Sequence, residues 1–151
     1  MTIIRRRRPR LDTKEILRLI RTELVPRSHT VREGDPYVLR ELPKRLRRGH
    51  TLVAARSKLS SPLGFIHYHL LGEQLFLDML AVQPRHQGRS LGKRLMLQAE
   101  QEGMSHGCVY ARLFVDDDND KAHSFYGRLG YQTVQHHSDF RCYELYKQLV
   151  P

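Results

Sequence analysis

The sequence predicts an α+β fold: a mixed, mostly antiparallel central sheet with helices packed on both faces. Three observations carry that expectation. Apolar residues recur at helical spacing before residue 50 and again after residue 90, and between them, from His50 to Val82, the period changes to two. Short polar or glycine-bearing turns separate the segments, and helices interspersed with antiparallel strands bury their apolar faces best as a sheet layered with helices.

Ile3 to Arg7 reads as a short first strand that ends at Pro9. Asp12-Thr13-Lys14-Glu15 is a capping signature, and Ile16, Leu17, Leu19, Ile20 and Leu24 follow at helical spacing until Pro26. The stretch 27–36 is polar and loop-like. Tyr37 to Arg48 reads as a second, shorter helix despite Pro43, with Gly49 as its stop. Thr51–Ser57, Gly64–Leu71 and Gln74–Val82 read as three strands of an antiparallel meander, the last two joined by the tight Gly72-Glu73 turn.

Leu91 to Gly103 is a helix carrying Leu91, Leu95, Met96 and Ala99 on one face, and Cys108 to Val115 is a largely apolar strand whose one charge is Arg112. Asp118 to Ala122 opens another helix with an acidic first turn, ending at Gly130. Tyr131–Gln135 and Phe140–Leu149 read as a closing strand pair. The predicted order is therefore β-α-α-β-β-β-α-β-α-β-β, one domain over residues 1–151, without repeats or linkers.

Bulk composition narrows the partners without naming one. The chain has 151 residues, 40% hydrophobic content and a formal net charge of +10, which suits an anionic cofactor, an acidic substrate or nucleic acid. No nucleic-acid module signature is present and the aromatics form no stacking platform, so nucleic acid is not the expected partner. No apolar run approaches the ~20 residues of a membrane span, and none follows Arg5-Arg6-Arg7-Arg8 as a secretory signal requires. Cys108 and Cys142 read as reduced core thiols. The expected location is cytoplasmic. The two basic clusters, Arg5 to Arg10 and Lys44 to Arg48, read first as solvated surface and second as attraction for an anionic ligand.

The segment from Leu80 to Met96 carries the chemistry. It joins a buried strand end (Leu80, Ala81, Val82) to a basic, glycine-containing turn and then a helix start. Free backbone N–H groups, the positive end of a helix dipole and the cations Arg85, Arg89, Lys93 and Arg94 all favour a phosphate or pyrophosphate.

Gln87-Gly88-Arg89-Ser90-Leu91-Gly92 resembles the Q/R-x-x-G-x-G/A pyrophosphate loop of the GNAT superfamily of N-acetyltransferases. Asn119, Ala122, the pair Phe125-Tyr126 and Gly130-Tyr131 resemble that family's second signature, and Leu80-Ala81-Val82 before Pro84 its cofactor-contacting strand. The element order also matches the family fold over nearly the whole chain. One departure stands out: Ser90 replaces the pattern's first glycine, so the position is expected to avoid a positive φ.

The resemblance implies acetyl-coenzyme A as co-substrate and no metal. Its pyrophosphate would lie on the N–H groups of Gly88, Arg89, Ser90, Leu91, Gly92 and Lys93, with Gln87 and Asn119 close by and Arg85 adding charge. Its extended pantetheine arm would pair with Leu80, Ala81 and Val82 where two parallel strands splay, and a backbone N–H at Leu80 or Ala81 would polarise the thioester carbonyl. Tyr126 matches the family tyrosine that reaches the sulfur and is the expected general acid. Asp78 is the candidate general base: a carboxylate amid Phe76, Leu77, Met79 and Leu80 is not there for packing. The alternative for Asp78 is an ion pair with a sheet neighbour such as Arg112, and Asp116, Glu33 and the strand histidines compete for the base role. His67 and His69 share one strand face, expected to be substrate-side or solvent-facing, with no third metal ligand apparent.

The acceptor would be a primary amine, in a small molecule, a lysine side chain or a peptide. Family members resembling the ribosomal-protein N-terminal acetyltransferases run Leu-Glu-Val-Arg before the asparagine. Here the run is Leu113-Phe114-Val115-Asp116, which disfavours the peptide N-terminus. The competing functional class is a coenzyme A-binding regulatory module of the same fold, and a homodimer is left open.

Overall fold

The computed structural model describes residues 1–27 and 35–151, so the predicted loop over 27–36 lies mostly outside the described residues, and Glu33 with it. The element order is β1 (Ile3–Arg6), α1 (Pro9–Leu19), α2 (Pro36–Arg47), β2 (His50–Ala55), β3 (Gly64–Leu71), β4 (Gln74–Val82), α3 (Leu91–Ser105), β5 (Tyr110–Asp116), α4 (Asp120–Arg128), β6 (Gln132–His137) and β7 (Cys142–Gln148). The α+β fold expected from the sequence is the fold observed. All seven strands join one sheet in the order β1-β2-β3-β4-β5-β7-β6.

The pairing β4–β5 is parallel and the other five are antiparallel. The parallel ladder is short, running from Gln74↔Tyr110 to Phe76↔Arg112. Beyond it β4 continues to Val82 and β5 to Asp116 without pairing to each other, and the sheet opens as a wedge between them. A β-bulge breaks β4 just there: His67 opposes Met79 and Tyr68 opposes Leu77, leaving Asp78 as the extra residue. A bulge bends its strand and re-aims the extra side chain.

Two apolar layers flank the sheet. On one face α3 buries Leu91, Leu95, Met96 and Ala99 against Leu52, Ile66, Tyr68, Leu75, Leu113 and Leu145, with Phe125 and Tyr126 of α4 at the margin. On the other, Ile16, Leu19 and Ile20 from the first helical segment and Leu42 and Leu46 from α2 cover Val53, Phe65 and Ala81.

The first helix begins earlier than the Asp12 capping signature predicts. Pro9 takes the first helical position, where its fixed φ fits and its missing N–H is no loss. Asp12 instead sits in the first turn, fully buried, accepting from the Arg8 N–H at 2.7 Å and from both terminal nitrogens of Arg5 at 2.7 and 2.9 Å. Arg5 is therefore internal structure rather than solvated surface, while Arg6, Arg8 and Arg10 are exposed as expected. Arg7 likewise donates to Thr13 and to the Leu46 carbonyl. After Leu19 the helix widens into one π turn, Ile20–Leu24, which the spacing alone did not reveal.

Candidate active site

A cleft of about 1210 Å³ enters the wedge between β4 and β5. One wall is the turn before α3 together with Asn119, Phe125 and Tyr126 of the α4 region. The opposite wall is the π turn and α2, through Ile20, Leu24, Leu42 and Arg45; the edge of β4 left unpaired towards β5, from Leu77 to Val82, forms the floor.

The turn before α3 has an unusual backbone. Gly88 has φ +78° with open space around an added Cβ, so glycine serves the backbone conformation there. Ser90, the residue that caps α3, has φ +64° and lies in the left-handed region, so the expectation that serine would avoid a positive φ is overturned. The reason is topological: the chain must reverse from the end of β4 into α3, and the left-handed residue makes that reversal whether or not it is glycine. Gly92 serves a different need, since a Cβ there would stand 3.3 Å from Cζ of Phe125 and require that ring to shift by a few tenths of an ångström. Among the described residues, no N–H from Gly88 to Lys93 donates to a backbone carbonyl; the first to do so is Arg94, to Ser90 at 3.0 Å.

The cationic side chains separate. Lys93 lines the cleft, whereas Arg85 faces a smaller cavity with Arg56 and His86. Arg94 is turned to the Thr2 carbonyl at 2.9 Å. Gln87 anchors the turn by donating to the Val82 carbonyl at 3.0 Å, and Asn119 caps α4 by accepting from the Ala122 N–H at 3.1 Å.

Tyr126 stands in the cleft with its ring edge-on to Phe125 and Tyr131. Burial pushes its hydroxyl up to about 12, because the phenolate is poorly solvated there. On the opposite side Asp78 is 4% exposed, and Arg45 of α2 takes both its oxygens, with Nε donating to Oδ2 at 2.9 Å. The expected partner Arg112 is engaged elsewhere: its guanidinium lies between the Phe76 and Phe114 rings and 3.6 Å from Glu144.

His67 is fully buried rather than on a substrate or solvent face, because α1 and α2 cover that part of the sheet. Its Nδ1 hydrogen-bonds Thr51 Oγ1 at 2.7 Å, and burial lowers its pKa to about 4. His69 is a quarter exposed, with Nε2 3.8 Å from Asp78 Oδ2. His67, His69 and Asp78 each bring one metal-competent atom within 4.8 Å of the others, so the bulge supplies the third ligand that the sequence did not show. The Arg45 guanidinium already supplies the positive charge that a metal would bring to Asp78. Arg45 is the cleft residue in contact with Asp78 that sequence reasoning missed. A signal was present: it lies three residues after Leu42 and one before Leu46, on the rim of the buried stripe of α2.

The model of the acetyltransferase (GNAT) family matches residues 14–131. A thialysine N-epsilon-acetyltransferase of Bos taurus is 26% identical over 72 residues, a match spanning 48% of this chain and 42% of that protein. The fold is similar to that of the PaiA N-acetyltransferase of Thermoplasma acidophilum, solved in complex with coenzyme A, with a TM-score of 0.80, 19% identity and coverage of 98% and 99% of the two chains. It is also similar to that of Ard1 from Thermoplasma volcanium, with a TM-score of 0.75, 22% identity and 99% of each chain covered.

Proposed function

This chain belongs to the GNAT family of acetyltransferases, and from that premise we propose that it transfers the acetyl group of acetyl-coenzyme A to a primary amine by direct attack in a ternary complex. The observation that carries the reading is the run of N–H groups from Gly88 to Lys93, none of which donates to a backbone carbonyl among the described residues, at the mouth of an open β4–β5 wedge. The co-substrate needs an anion cradle next to an extended slot of unpaired backbone, and the wedge offers both. Asn119, Gln87 and Lys93 frame the cradle, Arg89 and Arg85 add positive potential around it, and Leu80 to Val82 offer the strand edge.

The bound thioester supplies an acyl carbon open to attack. Asp78 accepts a proton from the acceptor ammonium, freeing the nitrogen lone pair. A backbone N–H at Leu80 or Ala81 donates to the carbonyl oxygen as charge gathers there. Carbon–nitrogen bond formation and carbon–sulfur bond cleavage leave one proton on nitrogen to lose and one to gain on sulfur. Tyr126 bridges the two. With its hydroxyl near 12, above an ordinary thiol at about 8.5, it holds a hydrogen bond on the departing sulfur and completes proton transfer as the nitrogen gives up its own.

Among the described residues no helix is long and apolar enough to cross a membrane. Calorimetric titration with coenzyme A followed by thioester loss across an amine panel tests the proposal. Binding with amine-dependent loss supports it. Binding with no amine ever acetylated leaves the regulatory-module reading, and no binding removes both.

A further inference from the structure

Beside the turn that opens the cleft lies a second basic cavity, of about 300 Å³. Arg56 walls it just after β2, Ser60 and Leu63 before β3, and Gln83, Arg85 and His86 after β4. We propose that this cavity is a second anion site that takes a phosphate dianion, carried either by the coenzyme as its 3′-phosphate or by a separate molecule. Only the coenzyme source rests on the acetyl-transfer reading above.

The walls are fastened to one another. The Gln83 N–H donates to the Leu63 carbonyl at 2.8 Å, the Leu63 N–H to the Ala54 carbonyl at 2.7 Å, and the His86 N–H to the Gln83 carbonyl at 2.8 Å. Their charge is uncompensated. Among the described residues neither Arg56 nor Arg85 forms an ion pair. Glu15, the carboxylate that Gln83 reaches, is already held by two nitrogens of Arg18, both at 2.6 Å. Burial and then Arg56, Arg89 and Arg85 lower the His86 pKa, so the charges acting on that ring are all positive.

A donor is also unspent. Arg56 donates to His86 Nε2 at 3.3 Å, and a guanidinium never accepts, so the neutral ring carries its proton on Nδ1. That Nδ1 is buried without a hydrogen-bond partner among the described residues. A buried N–H without an acceptor is uncommon in a native fold, and an oxyanion in the cavity would satisfy it. Two guanidinium forks and an imidazole N–H suit the several oxygens and double charge of a phosphate; a carboxylate would need one fork alone. His86 lines the main cleft as well, so this site adjoins the anion cradle of the Gly88–Lys93 turn.

Coenzyme A and 3′-dephospho-coenzyme A, titrated by calorimetry, separate the two sources, with inorganic phosphate as the free probe. Phosphate is tested by thermal shift at constant ionic strength, with dephospho-coenzyme A already filling the cradle. If the coenzyme supplies the group, the wild type is expected to bind coenzyme A about 10- to 100-fold more tightly than the dephospho form, the range of charge-assisted hydrogen bonds. Arg56→Gln and Arg85→Gln then lose that preference, while unchanged affinity of Arg56→Gln for dephospho-coenzyme A shows that it is folded. If the phosphate is separate, the two coenzymes bind alike, and inorganic phosphate raises the melting temperature of the wild type but not of Arg56→Gln. Arg10→Gln, an equal change of charge at an exposed position, is expected to keep either effect. A wild type indifferent to both phosphates overturns the site, as does an effect that survives Arg56→Gln or falls equally in Arg10→Gln. Failure of both coenzymes to bind strikes the acetyl-transfer reading instead, and the phosphate shift measured without coenzyme then decides the cavity.

Discussion

Arg45 Nε and Asp78 Oδ2 meet at 2.9 Å across 33 positions of sequence, fastening α2 to the bulge of β4. The bulge aims Asp78 into the cleft, and the helix sets what surrounds it. Asp78→Asn keeps the shape and removes the proton acceptor, so kcat at neutral pH is expected to fall about 10²- to 10⁴-fold. Coenzyme A affinity, measured by calorimetry, is expected to stay within about twofold. An unchanged kcat moves the base role elsewhere, with Asp116 first in line.

His67 makes stability depend on pH. Its folded pKa is lowered to about 4 by burial against an ordinary value of 6.5. Above 6.5 both folded and unfolded forms are neutral and the group contributes nothing. As pH falls from 6.5 towards 4 the unfolded chain takes up the proton and the folded one resists it. Stability therefore drops on acidification, by up to about 3 kcal/mol at pH 4. Melting curves at several pH values should show a smaller acid loss in His67→Gln than in the wild type, and parallel curves would count against the buried neutral ring.

Ser90 pays for its left-handed backbone. With φ at +64° it sits where a side chain costs about 1 kcal/mol and glycine nothing, partly offset by glycine's freedom in the unfolded chain. Ser90→Gly should raise stability by roughly 0.5 kcal/mol in denaturant titration and leave coenzyme A binding intact. A clear loss of binding would instead assign the hydroxyl a contact with the ligand.

What could be read from the sequence follows physical range. The meander was legible to the residue at Gly64–Leu71 and Gln74–Val82, because alternation and tight turns are local signals. The anion turn was legible because glycine, cations and a helix start lie within seven residues. Long-range pairing was not. Asp78's partner comes from a helix packed against the opposite side of the cleft, and the bulge that aims it arises from the register with β3. The arginine run looked solvated because nothing local shows that Arg5 is 9% exposed against Asp12. Likewise Glu100, at a helical position, is buried to hold Tyr131 Oη at 2.7 Å and Lys147 Nζ at 2.8 Å.

That contrast within the arginine run is testable. Asp12→Ala leaves Arg5 buried without its carboxylate and is expected to cost about 3–5 kcal/mol. Arg6→Ala removes a 65% exposed partner of Glu102 and is expected to cost less than about 1 kcal/mol. Urea midpoints of the two variants against the wild type give the comparison, and equal losses would contradict the burial of the Arg5–Asp12 pair.

In the proposed mechanism Tyr126 assists the departure of sulfur in amine-dependent transfer from acetyl-coenzyme A. Thiol release and N-acetylated product measured together, in wild type and Tyr126→Phe at saturating amine, test it most directly. Equal amounts of thiol and product are expected, with kcat lower by about 10²-fold or more in the variant and coenzyme A affinity unchanged. Full kcat in Tyr126→Phe, or thiol release that ignores the amine, would contradict it.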